Sequence, residues 1–161
     1  MRSRQKIETN IFEGKTWYLI PKYKVMLVRD DSIETDTKFI NSSDDANKII
    51  QSYLNGVDRE HFVVILLNRK NGIIGINTVS VGDLSSSIVH PREVFKPAIV
   101  AGAASIIVAH NHPSGDPAPS SDDINVTKRL KEAGDILGIG VLDHIIIGDG
   151  CYVSLKAKDL L

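Results

Sequence analysis

The pattern of apolar and polar residues along the chain changes several times, and each change predicts a different element. Six short apolar stretches predict strands at 23–29, 61–68, 73–81, 104–110, 141–147 and 151–155. The second and fourth are continuously apolar, as expected for strands that are covered on both faces of a sheet. The turn sequence Lys70-Asn71-Gly72 lies between the second and third stretches, so these two are predicted to form a hairpin.

Elsewhere, apolar residues recur at spacings of three and four, which predicts helices. This spacing covers 42–54, 92–102 and 124–137. The first helix begins with serines followed by two aspartates, and Pro91 lies at the first turn of the second, both typical helix starts. Helices interspersed with strands predict an α/β or α+β fold, a mixed β-sheet sandwiched by helices. We expect one such domain over 23–161, after an N-terminal extension over 1–22.

Composition and charge narrow the partners of this domain. The net charge of −1 provides no general attraction to nucleic acid or to a membrane surface. A local basic patch remains an alternative to an ordinary solvated surface, and the candidates are Arg2, Arg4, Lys6, Lys22, Lys24, Lys128, Arg129 and Lys131. The single cysteine excludes an intramolecular disulfide, and the longest apolar run, 98–109, is too short to cross a bilayer. We therefore expect a cytoplasmic protein without a membrane partner, and the sequence sets no oligomeric state.

Two histidines at the end of a predicted strand suggest a metal site. On an extended strand, His110 and His112 point to the same side with Cα atoms about 7 Å apart, so both imidazoles can reach one ion. The proline-rich loop 113–119 then leads to a helix start, where the first turn favours an ionised Asp123. Two histidines and one aspartate leave a fourth tetrahedral position open for water, as in catalytic zinc sites.

Less specific interpretations stand beside this one. A histidine pair at a strand end is by itself more typical of a structural role, and the correctly spaced Ser120 and Asp123 shift the balance toward metal. Asp122 is a weaker candidate ligand, and we expect the Asp116 side chain to cap a turn. For His90 and His144 we expect structural roles, with contact to the metal ligands as the alternative, and for Asn111 and Ser114 either a pocket-lining or a turn-stabilising role.

The spacing of these residues matches a known signature. His110, His112, Ser120 and Asp123 fit the JAMM motif HxHx₇SxxD at every defined position. From about Tyr23 to Ser154 the chain resembles the RadC family, whose domain is the MPN/JAMM type of metal-dependent hydrolase. The stretches that carry this resemblance are 60–64, 87–93, 109–119 and 142–150. The resemblance implies an MPN/JAMM fold, similar to that of cytidine deaminases, and one zinc ion per chain held by His110, His112 and Asp123.

The resemblance also implies catalytic roles. Glu60, at the head of a predicted strand, corresponds to the general base that accepts a proton from the zinc-bound water, and Glu93 is the alternative. Ser120 corresponds to the residue that stabilises the tetrahedral intermediate. The implied reaction is attack of zinc-bound hydroxide on an amide bond, peptide or isopeptide, in a peptide or protein substrate.

Two other functions remain open. The first is a metal-dependent nuclease or DNA-processing protein linked to DNA repair, and the second is a non-enzymatic zinc-containing interaction module. The net charge and the lack of lysine or arginine in loop 113–119 disfavour the nuclease, and the complete ligand set with Glu60 disfavours the interaction module. Members of the family often carry an N-terminal helix-hairpin-helix module associated with DNA. The residues before Tyr23 do not fit such a module, so the chain resembles a short form and direct DNA binding is less expected.

Overall fold

The described structure is built around one five-stranded sheet. A computed structural model describes residues 11–12, 15–16, 20–82 and 89–161. Its strands are β1 (Ile11–Phe12), β2 (Lys15–Thr16), β3 (His61–Leu67), β4 (Ile73–Val81), β5 (Ser105–Asn111), β6 (Gly140–Ile147) and β7 (Tyr152–Ser154), and its helices are α1 (Ser43–Tyr53), α2 (Pro91–Ala101) and α3 (Ser121–Leu137). The two-residue strands β1 and β2 pair with each other, and the other five form the main sheet in the order β4-β3-β5-β6-β7.

The sheet is mixed, as predicted, because one of its four neighbouring pairs is parallel. β5 and β6 run in parallel, and the pairs β3–β4, β3–β5 and β6–β7 are antiparallel. A parallel pair requires a crossover, and the 17-residue helix α3 provides it. The end of β5 and the start of α3 are therefore joined by one short connection at a single edge of the sheet.

Both faces of the sheet are covered. Along β3, Phe62, Val64 and Leu66 belong to a core shared with α2 and α3, and the intervening residues Val63 and Ile65 belong to a second core shared with α1. These β3 side chains are at most 4% exposed. The predicted α/β architecture with helices on both sides of a mixed sheet is confirmed.

Two of the helices begin with the same device. Ser42 precedes α1 and forms a capping box with Asp45, and Ser120 precedes α3 and forms one with Asp123. In each box the serine hydroxyl accepts a hydrogen bond from the aspartate N–H, and the carboxylate accepts one from the serine N–H. The predicted starts of these helices are therefore confirmed. The second capping box also holds the carboxylate of Asp123, one of the candidate ligands.

The prediction of a strand at 23–29 is wrong. Residues 20–31 have no regular secondary structure, and the side chains of Tyr23, Val25 and Val28 are 76–83% exposed. A strand forms when a neighbouring strand takes up its backbone hydrogen bonds and a core covers one face, and the described residues provide neither for this segment. Where the domain begins stays a prediction, because most of the extension 1–22 lies outside the described residues, as do Arg2, Arg4, Lys6 and positions 87–88.

Surface features follow from the same description. Cys151 is exposed just before β7. Within the described ranges, no helix has the length and apolar character needed to cross a membrane.

The close approach of α3 to the segment before β6 gives a test of the packing. A Cβ atom at Gly134 would lie 2.5 Å from the carbonyl oxygen of Ile139 and 3.3 Å from the side chains of Phe95 and Val141. Gly134→Ala should therefore lower the free energy of unfolding by about 1–2 kcal/mol, because a 2.5 Å contact with a backbone oxygen places the overpacking cost near the upper end of about 1–3 kcal/mol, and alanine's better helix propensity offsets about 1 kcal/mol of it. Urea unfolding measures the change.

Gly75→Ala in β4 is the matched control, since a Cβ atom there meets no atom within 4 Å. It should leave stability unchanged or slightly raised. Equal stability of Gly134→Ala and the wild type would contradict the described contact between α3 and β6.

Candidate metal centre

The structure brings together the three residues that the spacing selected as ligands. His110 lies in β5, His112 follows that strand, and Asp123 lies in the first turn of α3. His110 Nε2 is 2.9 Å from His112 Nε2 and 3.1 Å from Asp123 Oδ1, and His112 Nε2 is 3.5 Å from Asp123 Oδ2. The candidate metal centre, defined as His110, His112 and Asp123, thus presents two imidazole nitrogens and one carboxylate to a common point.

The candidate centre is largely buried. The side chains of His110 and Asp123 are 0% and 2% exposed, and that of His112 is 18% exposed. Of the three candidate ligands, His112 is therefore the one that reaches solvent.

The Asp123 carboxylate is held by the helix cap. The Ser120 N–H and hydroxyl each donate to Asp123 Oδ2 over 2.7 Å, and the Asp123 N–H donates to Ser120 Oγ over 3.1 Å. Burial raises the pKa of Asp123, but the hydrogen bond and charge of His110 together with the Ser120 hydrogen bonds outweigh it and hold that pKa well below its usual range. The carboxylate is therefore ionised at neutral pH, and Ser120 orients it.

The orientation of His112 follows from its other ring nitrogen. His112 Nδ1 lies 2.7 Å from the backbone carbonyl oxygen of Asp116. A carbonyl only accepts, so Nδ1 carries a hydrogen and Nε2 is the ring nitrogen that faces the candidate centre. The His112 N–H donates to the Ile147 carbonyl over 2.9 Å, which fixes the residue to the end of β6.

The proline-rich loop is fastened beside His112. The Asp149 N–H donates to the carbonyl of Gly115 over 2.8 Å. A Cβ atom at Gly148 would clash with that same carbonyl oxygen and would lie 2.7 Å from the ring of Pro117. The backbone of 148–149 thus lies directly against the loop, which sets the path from His112 to Ser120.

These donors suit zinc. Bonds of about 2.0–2.1 Å in tetrahedral geometry place two donor atoms about 3.3 Å apart. The two Nε2 atoms are 2.9 Å apart, His110 Nε2 is 3.1 Å from Asp123 Oδ1 and His112 Nε2 is 3.5 Å from Asp123 Oδ2, so the separations lie on both sides of that value and involve both carboxylate oxygens. Two imidazoles and an ionised carboxylate are also ligands that zinc accepts, and three protein ligands are the usual number for a catalytic site.

A second set of side chains lies behind the candidate centre. His144 and Thr127 are both 0% exposed; His144 contacts His110, and Thr127 contacts His144. Burial and the charge of His110 hold the pKa of His144 well below its usual range. The ring of Phe62 stacks on that of His110 with centroids 5.9 Å apart. His144 therefore touches a candidate ligand directly, which is the contact named as the alternative to a structural role.

Glu60 lies at the head of β3 in a segment fixed from the neighbouring strand. The side-chain amide of Asn111 accepts from the His61 N–H over 2.8 Å and donates to the Arg59 carbonyl over 3.0 Å. These two backbone groups flank Glu60, so the Asn111 side chain holds it from both sides. The Gly82 N–H adds a hydrogen bond of 2.9 Å to the Glu60 carbonyl.

The register of the sheet places this segment beside the candidate centre. β3 and β5 are antiparallel with Phe62 opposite His110, so the head of β3 lies next to the end of β5. Glu60 is half-buried there. The structure thus brings Glu60 to the edge of the sheet that bears the two histidines.

Comparison with known proteins identifies the domain. A profile for the RadC-like JAB domain matches residues 40–160. The chain belongs to the RadC-like JAB domain family. It is 53% identical over 130 residues to a UPF0758 protein of Shouchella clausii and 58% identical over 119 residues to one of Caldanaerobacter subterraneus subsp. tengcongensis. These alignments cover 78% and 74% of the chain but 56% and 51% of the relatives, so the chain spans about half the length of the relatives it matches.

Other candidates named from the sequence lie apart from the centre of this JAB domain or have other partners. Glu93 pairs with Arg92 at 3.4 Å and with Lys96 at 3.2 Å on the surface of α2. Asp122 is exposed, and the Asp116 side chain accepts from the Ala118 N–H over 2.9 Å, which is the expected turn cap. His90 is exposed at the start of α2.

Two residues behind the centre of the JAB domain were missed or undervalued in the sequence. Thr127 lies four residues after Asp123, a spacing that places both on one face of α3 and could have identified it. His144 lies in β6 opposite Val108 of β5, and strand alternation puts its side chain on the His110 face. That assignment requires the register of the parallel pair, which the sequence does not contain.

The two hydrogen bonds that hold the Glu60 segment can be tested by changing the side-chain amide of Asn111. Asn111→Ala removes both hydrogen bonds, so it should lower the free energy of unfolding by about 1–3 kcal/mol and speed hydrogen exchange at the His61 amide. Asn111→Asp keeps an acceptor for that amide but loses the donor to Arg59, so exchange at His61 should stay slow. Undiminished protection of the His61 amide in Asn111→Ala would show that this contact does not hold the segment.

Proposed function

We propose that this chain is a zinc-dependent hydrolase that cleaves an amide bond, peptide or isopeptide, in a peptide or protein substrate. The observation that carries the proposal is the convergence of His110 Nε2, His112 Nε2 and the ionised Asp123 carboxylate, with His112 partly exposed. Membership of the RadC-like JAB family supports the same reading. The relatives' names state no activity, so the reaction rests on the chemistry of the site.

In this proposal, His110, His112 and Asp123 hold one zinc ion. When bound, zinc lowers the pKa of a coordinated water to about 7 and polarises a carbonyl oxygen, which supplies a nucleophile at neutral pH. The protein's contribution is to present neutral imidazole nitrogens and a permanently ionised carboxylate. The Asp116 carbonyl does this for His112, and the Ser120 cap does it for Asp123.

Glu60 is the proposed general base. Its half-buried position next to the end of β5 suits a carboxylate that takes a proton from the attacking water and delivers it to the departing amide nitrogen. The leaving amine needs that proton, because an amide anion is too basic to depart at neutral pH. The two hydrogen bonds of the Asn111 side chain keep the Glu60 backbone fixed during both proton transfers.

Ser120 is proposed to assist at the developing oxyanion. Its hydroxyl hydrogen is directed at Asp123 Oδ2 in the structure, so a role toward substrate requires the hydroxyl to rotate away from that oxygen. The Ser120 N–H would still donate to the carboxylate and keep Asp123 in place.

A peptide or protein substrate suits the surroundings better than nucleic acid. Loop 113–119 carries no lysine or arginine. Arg59 precedes Glu60 in the described chain, and its guanidinium pairs with the Asp58 carboxylate at 2.9 Å. A phosphodiester would need cations beside the metal to offset its charge. A metal-dependent nuclease is therefore the first alternative function, and a non-enzymatic zinc-containing interaction module is the second.

Metal binding tests the ligand set. The wild type should bind about one zinc ion per chain, and Asp123→Ala should lose high-affinity binding because a buried anionic donor is removed. Asp122→Ala is the matched control, since it deletes the neighbouring exposed carboxylate in the same helical turn. Competition with a chromogenic chelator gives both affinities. Equal affinity of the two variants would rule out Asp123 as a ligand.

Glu60→Gln tests the base. The variant should bind zinc like the wild type while turnover falls about 10²–10⁴-fold, because an amide cannot relay the proton. The assay compares zinc-loaded wild type and variant on a peptide and isopeptide library and on single- and double-stranded DNA. Cleavage of DNA alone would replace the proposed substrate class, and full activity of Glu60→Gln would refute the assignment of the base.

A further inference from the structure

Three polar contacts run in series behind the candidate metal centre. Thr127 Oγ1 donates to the backbone carbonyl of Asp123 over 2.6 Å and lies 2.6 Å from His144 Nδ1. His144 Nε2 in turn lies 2.8 Å from His110 Nδ1. Thr127, His144 and His110 are all 0% exposed, so these contacts form without competition from solvent.

The direction of the contact between Thr127 and His144 is fixed by the carbonyl. A threonine hydroxyl has one hydrogen, and the Asp123 carbonyl can only accept, so that hydrogen lies between them. At its other short contact, the Thr127 oxygen must accept. His144 Nδ1 therefore carries a hydrogen and donates it to Thr127.

The direction of the next contact follows from the hydrogen already placed. A neutral imidazole has one N–H, and in His144 it is on Nδ1, so Nε2 offers a lone pair. In the described structure this fully buried ring contacts a hydroxyl and a second imidazole, and burial disfavours a positive charge on it. Nε2 thus accepts, and His110 Nδ1 donates to it.

We infer that Thr127 and His144 are positioning residues that keep a hydrogen on His110 Nδ1 and so turn Nε2 toward His112 and Asp123 as the ring nitrogen available to a metal. This inference rests on the proposed metal site, because its consequence is a preformed zinc donor. His112 receives the same tautomer from the Asp116 carbonyl, so both rings offer Nε2.

The series also couples two ligands. It begins at the backbone of Asp123 in α3 and ends at the ring of His110 in β5, through His144 in β6. A shift of the first turn of α3 relative to the sheet would therefore disturb both ligands together. Partners behind a metal ligand typically contribute 10–100-fold to metal affinity when they fix its orientation.

Histidine tautomers in the metal-free protein test this inference directly. Two-bond ¹H–¹⁵N correlation spectra should show hydrogen on Nδ1 of both His110 and His144, and a bare Nε2 on His144. A hydrogen on Nε2 of His144, or its absence from Nδ1 of His110, would overturn the relay. The readout does not depend on zinc, so it separates failure of the relay from failure of the proposed hydrolase.

Thr127→Val and Thr127→Ser then separate positioning from packing. Valine fills the same volume without a hydroxyl, so the His144 and His110 tautomers should become mixed and zinc affinity should fall about 10–100-fold. Serine retains the hydroxyl and should keep the wild-type tautomers and affinity. Wild-type affinity in a folded Thr127→Val protein would overturn the positioning role.

A second pair of variants covers the case in which Thr127→Val does not fold. His144→Gln offers an amide oxygen to the His110 Nδ1–H, whereas His144→Leu offers no acceptor. The glutamine variant should keep Nδ1 protonated in His110 and bind zinc more tightly than the leucine variant. Equal zinc affinities of the two would contradict the inference.

Discussion

The site depends on the burial of one carboxylate. An ionised group taken out of water costs several kcal/mol unless charges and hydrogen bonds replace its hydration. Asp123 is 2% exposed. The groups that take the place of water around its carboxylate are two imidazoles on one side and the Ser120 N–H and hydroxyl on the other. These partners must come from the end of β5 and the start of α3. The geometry of the strand-loop-helix connection is therefore set by the need to satisfy this group.

The sheet topology supplies the rest of the arrangement. Because β5 and β6 are parallel, α3 crosses over the sheet face, and its first turn lies above the side chains of both strands. Antiparallel pairing of β3 with β5 brings the head of β3 to the same edge, where the Asn111 side chain fixes the Glu60 segment. The candidate ligands, the residues that contact them and the proposed base thus come from β3, β5, β6 and α3, which meet at one edge of the sheet.

Much of this arrangement was predictable from local patterns. Continuous apolar runs predict the buried strands, serine–aspartate pairs predict the helix starts, and the i, i+2 histidines predict a common side for both rings. The segment 23–29 shows the limit, since apolar residues there predict a strand that the described chain does not pair. The contacts of His144 and Asn111 depend on register between strands distant in sequence, and no local pattern encodes it.

Membership of the RadC-like JAB family and the converging donors support the same proposal, a zinc site prepared for hydrolysis. X-ray absorption at the zinc K-edge tests its central claim most directly. The account predicts four-coordinate zinc with two imidazole nitrogens and carboxylate or water oxygens at about 2.0–2.2 Å. A sulfur ligand, or an all-oxygen shell without imidazole scattering, would contradict it.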